Sequence, residues 1–263
     1  MTSHLWISSF IESLSLFQSN SYYSSRRFKF VETRNLYNRR QCSQVKETKA
    51  LQTKESVDYS LYLVTSGVDK NIHSLLEKVQ AALMGGVTIL QYRDKQNTTR
   101  DMVRIGTELL EMARSFQVPL LVNDRVDIAL AIDADGVHMG QDDMPLVMTR
   151  RLLGKEKIIG VSVGSEEEAV IAQRQGADYI GVGSIFSTFS KADAGEPIGL
   201  EALKRIASAV STLPVIAIGG INEHNASQCI QNGAKGVAVI SAILSSNDPQ
   251  QAARNLKQKI IHL

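Results

Sequence analysis

From Tyr59 onward, short runs of branched apolar residues alternate eight times with longer segments whose apolar residues recur at helical spacing. Strands separated by helices cannot pair through hairpins, so they lie parallel, each joined to the next by a crossover helix. The strands are expected at Leu61 to Thr65, Val87 to Tyr92, Leu120 to Val122, Gly136 to Met139, Ile158 to Val161, Tyr179 to Val182, Val215 to Ile218 and Gly236 to Ile240. Between them, Ile72, Leu75, Leu76, Val79, Ala82 and Leu83 form one apolar stripe that Gly85 and Gly86 stop. Met102, Ile105, Leu109 and Met112 form a second, and Leu200, Leu203, Ile206 and Ala207 another. Eight such units in about 200 residues predict a single (β/α)8 barrel over residues 57–263, with chemistry where strands end and loops begin. An open doubly wound sheet is the other arrangement of such units, and it usually carries a glycine-rich first turn. Here the first turn, Thr65 to Lys70, has one glycine.

The first 56 residues read differently. They are rich in Ser, Tyr, Asn and Arg, poor in acids and without sustained periodicity, so they predict a poorly structured extension, as a tail or an organelle-targeting segment. A hydrophobic fraction of 43% fits a soluble globular protein, and no apolar run approaches the roughly 20 residues of a membrane span, so the expected location is intracellular: cytoplasmic, or organellar if the extension is a targeting segment. The net charge of +2 comes with a basic cluster confined to the extension, which argues against nucleic-acid binding. Two cysteines, Cys42 and Cys229, are too few for a disulfide framework or a four-ligand zinc site. Oligomeric state is left open, a homo-oligomer included.

The polar residues fall at strand ends. Gln91, Arg93 and Lys95 alternate at the end of the second expected strand, and alternate residues of a strand share a face, so they predict an anion grip. Asn123 and Asp124 follow the third, and Gln141, Asp142 and Asp143 the fourth. Asp124 and Asp143 are candidate ligands for magnesium, which takes a few carboxylate oxygens together with water and substrate phosphate. Asp124 could equally cap the helix holding Val126 and Ile128. Ser162 ends the fifth strand, and the sixth leads into a hydroxyl-rich loop, Gly183 to Lys191, able to wrap phosphate or to be an ordinary loop. Gly219 and Gly220 after the seventh strand, and Ile240, Ser241 and Ala242 at the eighth, sit where barrels of this kind hold phosphate, although paired glycines also serve tight turns. His138 is mid-strand and reads as a packed or hydrogen-bonded core residue, and no nucleophilic triad is discernible.

Seven segments taken in order, Q-Y-R-D-K, V-N-D, A-D-G-V-H-M-G-Q-D-D, G-V-S, T-F-S-K, A-I-G-G-I and V-I-S-A, resemble the thiamine-phosphate synthase (thiamine-phosphate pyrophosphorylase) family across residues 59 to about 245. The resemblance implies a magnesium-dependent enzyme of thiamine biosynthesis. It would join hydroxymethylpyrimidine diphosphate to hydroxyethylthiazole phosphate, or to the carboxylated thiazole phosphate with loss of carbon dioxide, giving thiamine monophosphate and pyrophosphate. It implies a dissociative substitution: pyrophosphate leaves, and the thiazole nitrogen captures the resulting methylene cation. Gln91, Arg93, Lys95 and Asn123 match the family's pyrimidine-diphosphate site, with Ser162 and Lys191, and Asp124 and Asp143 match its magnesium ligands. Arg93, Lys95, Ser162 and Lys191 would carry the catalysis. Thr188, Phe189 and Ser190 align with the loop on the thiazole phosphate, together with Gly220, Ile240 and Ser241. Where the family usually has proline, this chain has Ser184 and Ser187, which predicts a looser loop and slower capture of the thiazole. A thiazole tautomerase-like relative and a non-catalytic thiamine-phosphate-binding regulator are the alternatives on the same barrel. Retention of the charged residues argues against the first, and a carboxylate pair placed for metal against the second.

Overall fold

The computed structural model describes residues 54–66, 71–188, 190 and 195–261. Apart from residues 54–56, the expected N-terminal extension lies outside them, as do two of the expected site residues, Phe189 and Lys191. The strands are β1 (Leu61–Val64), β2 (Ile89–Tyr92), β3 (Leu120–Asn123), β4 (Gly136–Met139), β5 (Ile158–Val163), β6 (Tyr179–Val182), β7 (Val215–Ile218) and β8 (Gly236–Val239). They pair in parallel in chain order and β8 closes on β1, so the sheet is a closed eight-stranded barrel. The helices between and after them are α1 (Ile72–Met84), α2 (Thr99–Ser115), α3 (Val126–Ile132), α4 (Leu146–Leu153), α5 (Glu166–Gln175), α6 (Gly199–Ala209), α7 (Ala226–Gln231), α8 (Ser241–Leu244) and α9 (Pro249–Ile261).

Register explains the composition of the strands. Residues paired across neighbouring strands share a face of the sheet. One face of the barrel carries Leu63, Leu90, Val122, Val137, Ile159, Ile180, Ala217 and Val237, all buried. These pack against the apolar stripes of the helices, and each fully buried Leu, Ile or Val contributes about 1.5–3 kcal/mol. Leu75, Val79, Ala82 and Leu83 of α1 are buried there as expected, and so are Met102, Ile105 and Leu109 of α2 and Leu203 and Ile206 of α6. The opposite face turns inward, which is evident because side chains of β1 and β6, not neighbours in the sheet, touch across the barrel at Tyr62 and Tyr179. This inner face mixes large residues with glycine. A Cβ on Gly160 would fall 2.0 Å from the Tyr179 ring, so the missing side chain on β5 is what admits the tyrosine of β6.

Local chemistry sets the helix ends. Asn71 caps α1 by accepting from the backbone of His73 (3.0 Å), and Thr98 and Ser165 cap α2 and α5 the same way. Gly85 ends α1 where a Cβ would lie 2.4 Å from the carbonyl of Gln250, so α9 packs there without clash. Ahead of β1, Lys54 pairs with Asp178 (3.0 Å), whose carboxylate also takes Arg150 and the backbone N–H of Ile159. No helix among the described residues is long and apolar enough to cross a membrane.

Candidate active site

At the C-terminal ends of β4 to β8 lies a cavity of about 750 Å3. Its wall is made of Ser162, the β6 loop at Ser184, Ser187, Thr188 and Ser190, the turn Gly219 to Asn222, and Val239 to Ala242. Of the expected site residues, the structure brings Ser162, Thr188, Ser190, Gly220, Ile240 and Ser241 to this one cavity. The wall is built by backbone geometry. Gly219 and Gly220 have φ of 101° and 65°, in the left-handed region, and a Cβ on Gly220 would meet the carbonyl of Ser187 at 2.5 Å. Asn225 then locks the turn: its Nδ2 donates to the Gly220 carbonyl (3.0 Å) and its Oδ1 accepts from Asn222 N–H (2.8 Å). The glycines therefore make the tight turn and, lacking side chains, let it line the cavity. Ser190 and Ser241 hydroxyls, 51 residues apart in the chain, bond at 3.0 Å. Ser184 is buried and its carbonyl accepts from Ile198 N–H (2.8 Å), so that position is held by packing although it lacks proline.

The charged groups stand on the other side of the rim. Lys95 Nζ pairs with the Asp124 carboxylate. Asp143 accepts from the backbone N–H of Gly140 at 2.7 Å, and Gly140 itself lines the cavity, so the carboxylates adjoin it. Burial, and next the neighbouring Asp143, push the Asp124 carboxyl above its ordinary range, against the pull of Lys95. Asp124 does not cap α3. Arg125 occupies the capping position without a side-chain bond, and Asp124, at φ 60°, gives its carboxylate to Lys95 instead. The donor set fits magnesium: two adjacent carboxylates, with no third acid or histidine grouped with them among the described residues, leave room for the water and phosphate oxygens this ion prefers.

The grip expected of Gln91, Arg93 and Lys95 is not formed as a single face. β2 ends at Tyr92, so the alternation lapses before Arg93. Gln91 points into the barrel, 3% exposed, and donates to Tyr62 Oη (2.7 Å). Its own Oε1 is buried without a hydrogen-bond partner. Arg93 lines a separate cavity of about 260 Å3 with Thr65, Asp94, Asp101 and Arg104, and Lys95 reaches Asp124. Asn123 closes β3, buried, beside His138 in the register.

Other residues were not singled out from the sequence. Asp94 fastens the turn after β2 by accepting from Gln96 N–H, Asn97 N–H, Asn97 Nδ2 and Tyr92 Oη. Burial acts to raise its carboxyl, and these bonds, those of Asn97 first, hold it below the usual range. An Asp with Asn three residues on, ahead of a helix, was the available signal. Tyr62, Tyr179 and His138 form a buried cluster with Gln91 and Ser162. His138 is hydrogen-bonded and buried, as its mid-strand position suggested, but the cluster ends at the cavity.

A family model described as thiamine monophosphate synthase matches residues 61–243, from the first residue of β1 into α8, so it takes in the whole barrel and every strand end described above. The chain belongs to the thiamine monophosphate synthase family. Proteins named thiamine-phosphate synthase are similar over nearly their whole length. The one from Clostridium novyi (strain NT) is 48% identical over 200 residues, covering 76% of this chain and 98% of that protein. The one from Desulfitobacterium hafniense (strain Y51) is 52% identical over 201 residues, covering 76% and 97%. Among solved structures, thiamine phosphate pyrophosphorylase from Pyrococcus furiosus is 42% identical with a TM-score of 0.72, covering 78% of this chain and 97% of that one. The family's activity, that of a transferase of thiamine biosynthesis acting on small molecules, is the activity the ordered motifs implied.

Proposed function

We propose that the chain joins hydroxymethylpyrimidine diphosphate to hydroxyethylthiazole phosphate, or its carboxylated form, with magnesium, releasing pyrophosphate and thiamine monophosphate, and carbon dioxide as well when the carboxylated form is used. One observation carries this reading. A carboxylate pair with its lysine stands beside a cavity walled by glycines and hydroxyls, joined to it where Asp143 accepts from Gly140 N–H, so two chemically different anion sites lie side by side on one rim. The uncharged wall suits a single phosphate, held by backbone N–H groups and the Ser190 and Ser241 hydroxyls. The charged side suits a diphosphate. Lys95 would hold the departing pyrophosphate, and Asp124 and Asp143 would hold magnesium, which when bound supplies positive charge against the leaving group.

Gln91 supports the pyrimidine assignment. A buried carbonyl oxygen without a partner costs about 1–3 kcal/mol, and the amino N–H of an aminopyrimidine is the type of group that relieves it. Once the carbon–oxygen bond breaks, the ring needs alignment and exclusion of water more than a protein nucleophile. Purified protein incubated with both substrates and magnesium should produce thiamine monophosphate and pyrophosphate in equal amounts. Consumption of neither substrate would refute the proposal.

A further inference from the structure

We propose that a hydrogen-bonded relay across the barrel interior fixes the direction of the Ser162 hydroxyl, with His138 as positioning residue, so that Ser162 meets substrate as a donor to an anionic oxygen. This deepens the reading above and rests on it for the identity of the substrate.

Five strands contribute one side chain each. Gln91 Nε2 donates to Tyr62 Oη at 2.7 Å, the Tyr62 and Tyr179 hydroxyls are 2.8 Å apart, Tyr179 Oη lies 2.8 Å from His138 Nδ1, and His138 Nε2 lies 2.9 Å from Ser162 Oγ. The positions of the hydrogens follow by counting. Each tyrosine hydroxyl has one hydrogen. Tyr62 already accepts from Gln91, and the acceptor for its own hydrogen among the described residues is Tyr179 Oη. Tyr179 must then give its hydrogen to Nδ1 of His138. That leaves the imidazole hydrogen on Nε2, where it is donated to Ser162 Oγ. The last hydrogen in the chain, on Ser162, points onward, and Ser162 lines the cavity.

The reverse order is disfavoured. If Tyr179 donated to Tyr62, the Tyr62 hydrogen would be stranded inside a residue 1% exposed. Turning the Gln91 amide over would give Tyr62 an acceptor but leave both amide hydrogens buried without partners, and orphaned N–H groups are rarer than orphaned carbonyls. The site is also built for the relay. Gly160 leaves room for the Tyr179 ring and hydroxyl, and a Cβ on Gly181 would come within 3.0 Å of His138 Cε1. Because successive bonds polarise one another, the relay strengthens Ser162 as a donor and makes it a poor acceptor. Ser162 would thus favour a phosphate oxygen and disfavour a hydroxyl or amine hydrogen at the same place.

The tautomer of His138 tests the direction in the full-length wild-type protein without any substrate. Long-range 15N–1H correlation at pH 8 should show the His138 hydrogen on Nε2; a hydrogen on Nδ1, alone or together with one on Nε2, would overturn the relay. A double-mutant cycle tests its purpose. Tyr62→Phe should lower kcat/KM about fivefold in the wild type and less than about twofold in the Ser162→Ala background, since the two hydroxyls do not touch and can couple only through the chain. Losses that multiply would reduce Tyr62 to packing and overturn the proposal. The tautomer stands or falls apart from the substrates, so failure to form thiamine monophosphate would refute the proposed reaction while the relay is still decided by NMR.

Discussion

From β6 to β8 the rim meets the cavity with glycines and hydroxyls and no described charged side chain, whereas from β2 to β4 it presents the pair Lys95 and Asp124 and, on the Gly140 N–H, Asp143. The first side is positioned by φ angles and turn hydrogen bonds that no counterion disturbs. The second is a set of mutually compensating charges whose arrangement depends on what is bound. A phosphate that is carried unchanged through a reaction needs only the former. A leaving group that gains charge during the reaction needs the latter, where stabilisation can grow with the charge.

The difference can be broken from either side. Lys95→Ala should have the largest effect, lowering kcat by about 100-fold or more, the scale of losing one donor to a developing anion. Turnover near wild type would remove Lys95 from the chemistry. Gly220→Ala comes next: alanine at φ 65° with its Cβ against the Ser187 carbonyl should raise KM for the thiazole phosphate about tenfold and cost about 2 kcal/mol of stability. The KM for the pyrimidine diphosphate should not move. If both constants rise together, the two sides are not independent.

Asp124→Asn acts on the charged side alone and in a direction fixed by its environment. Its carboxyl is raised above the ordinary 3.8, so the folded protein holds that proton more tightly than the unfolded chain does. Its contribution to stability is therefore full below the unfolded value and lost as pH rises through the folded one. Once ionised, Asp124 burdens the fold, so Asn should raise Tm in the absence of magnesium, with the gain disappearing in acid. The same variant should need about tenfold more magnesium for half-maximal turnover, by analogy with loss of a ligand contact. An unchanged magnesium titration would exclude Asp124 as a ligand. The smallest effect belongs to Ser190→Ala. Losing one neutral hydrogen bond of about 1 kcal/mol should raise the thiazole phosphate KM some fivefold, because backbone donors remain. A loss as large as that of Gly220→Ala would mean that hydroxyls, not backbone, form the wall.

The barrel was legible because each strand keeps its branched apolar residues toward the helices and each helix keeps a stripe toward the strands. The ends were less so. β2 begins at Ile89 instead of Val87, because Val87 N–H still bonds back to Ala82 and the Thr88 hydroxyl is taken up by Leu61. β5 runs on to Val163, two residues past its expected end. Among site residues, the wall could be read from glycines and hydroxyls at successive strand ends, since such groups act where the chain places them. The charged side could not be read as fully. Whether Asp124 caps a helix or pairs with Lys95 goes with one positive φ, and whether Arg93 joins Gln91 turns on where a strand stops. The interior cluster was least visible, because Tyr62 and Tyr179 are 117 residues apart and meet only when the barrel closes.

Gly160 has a consequence for how this barrel can diverge. Its absent side chain is occupied by the ring of Tyr179, with a Cβ there falling 2.0 Å from Cζ. Neither position can drift alone: enlarging residue 160 expels the tyrosine, and shrinking residue 179 opens a hole beside a glycine. Among descendants of this chain the two sites should therefore change as a pair or not at all, a coupled substitution pattern written by space rather than by chemistry.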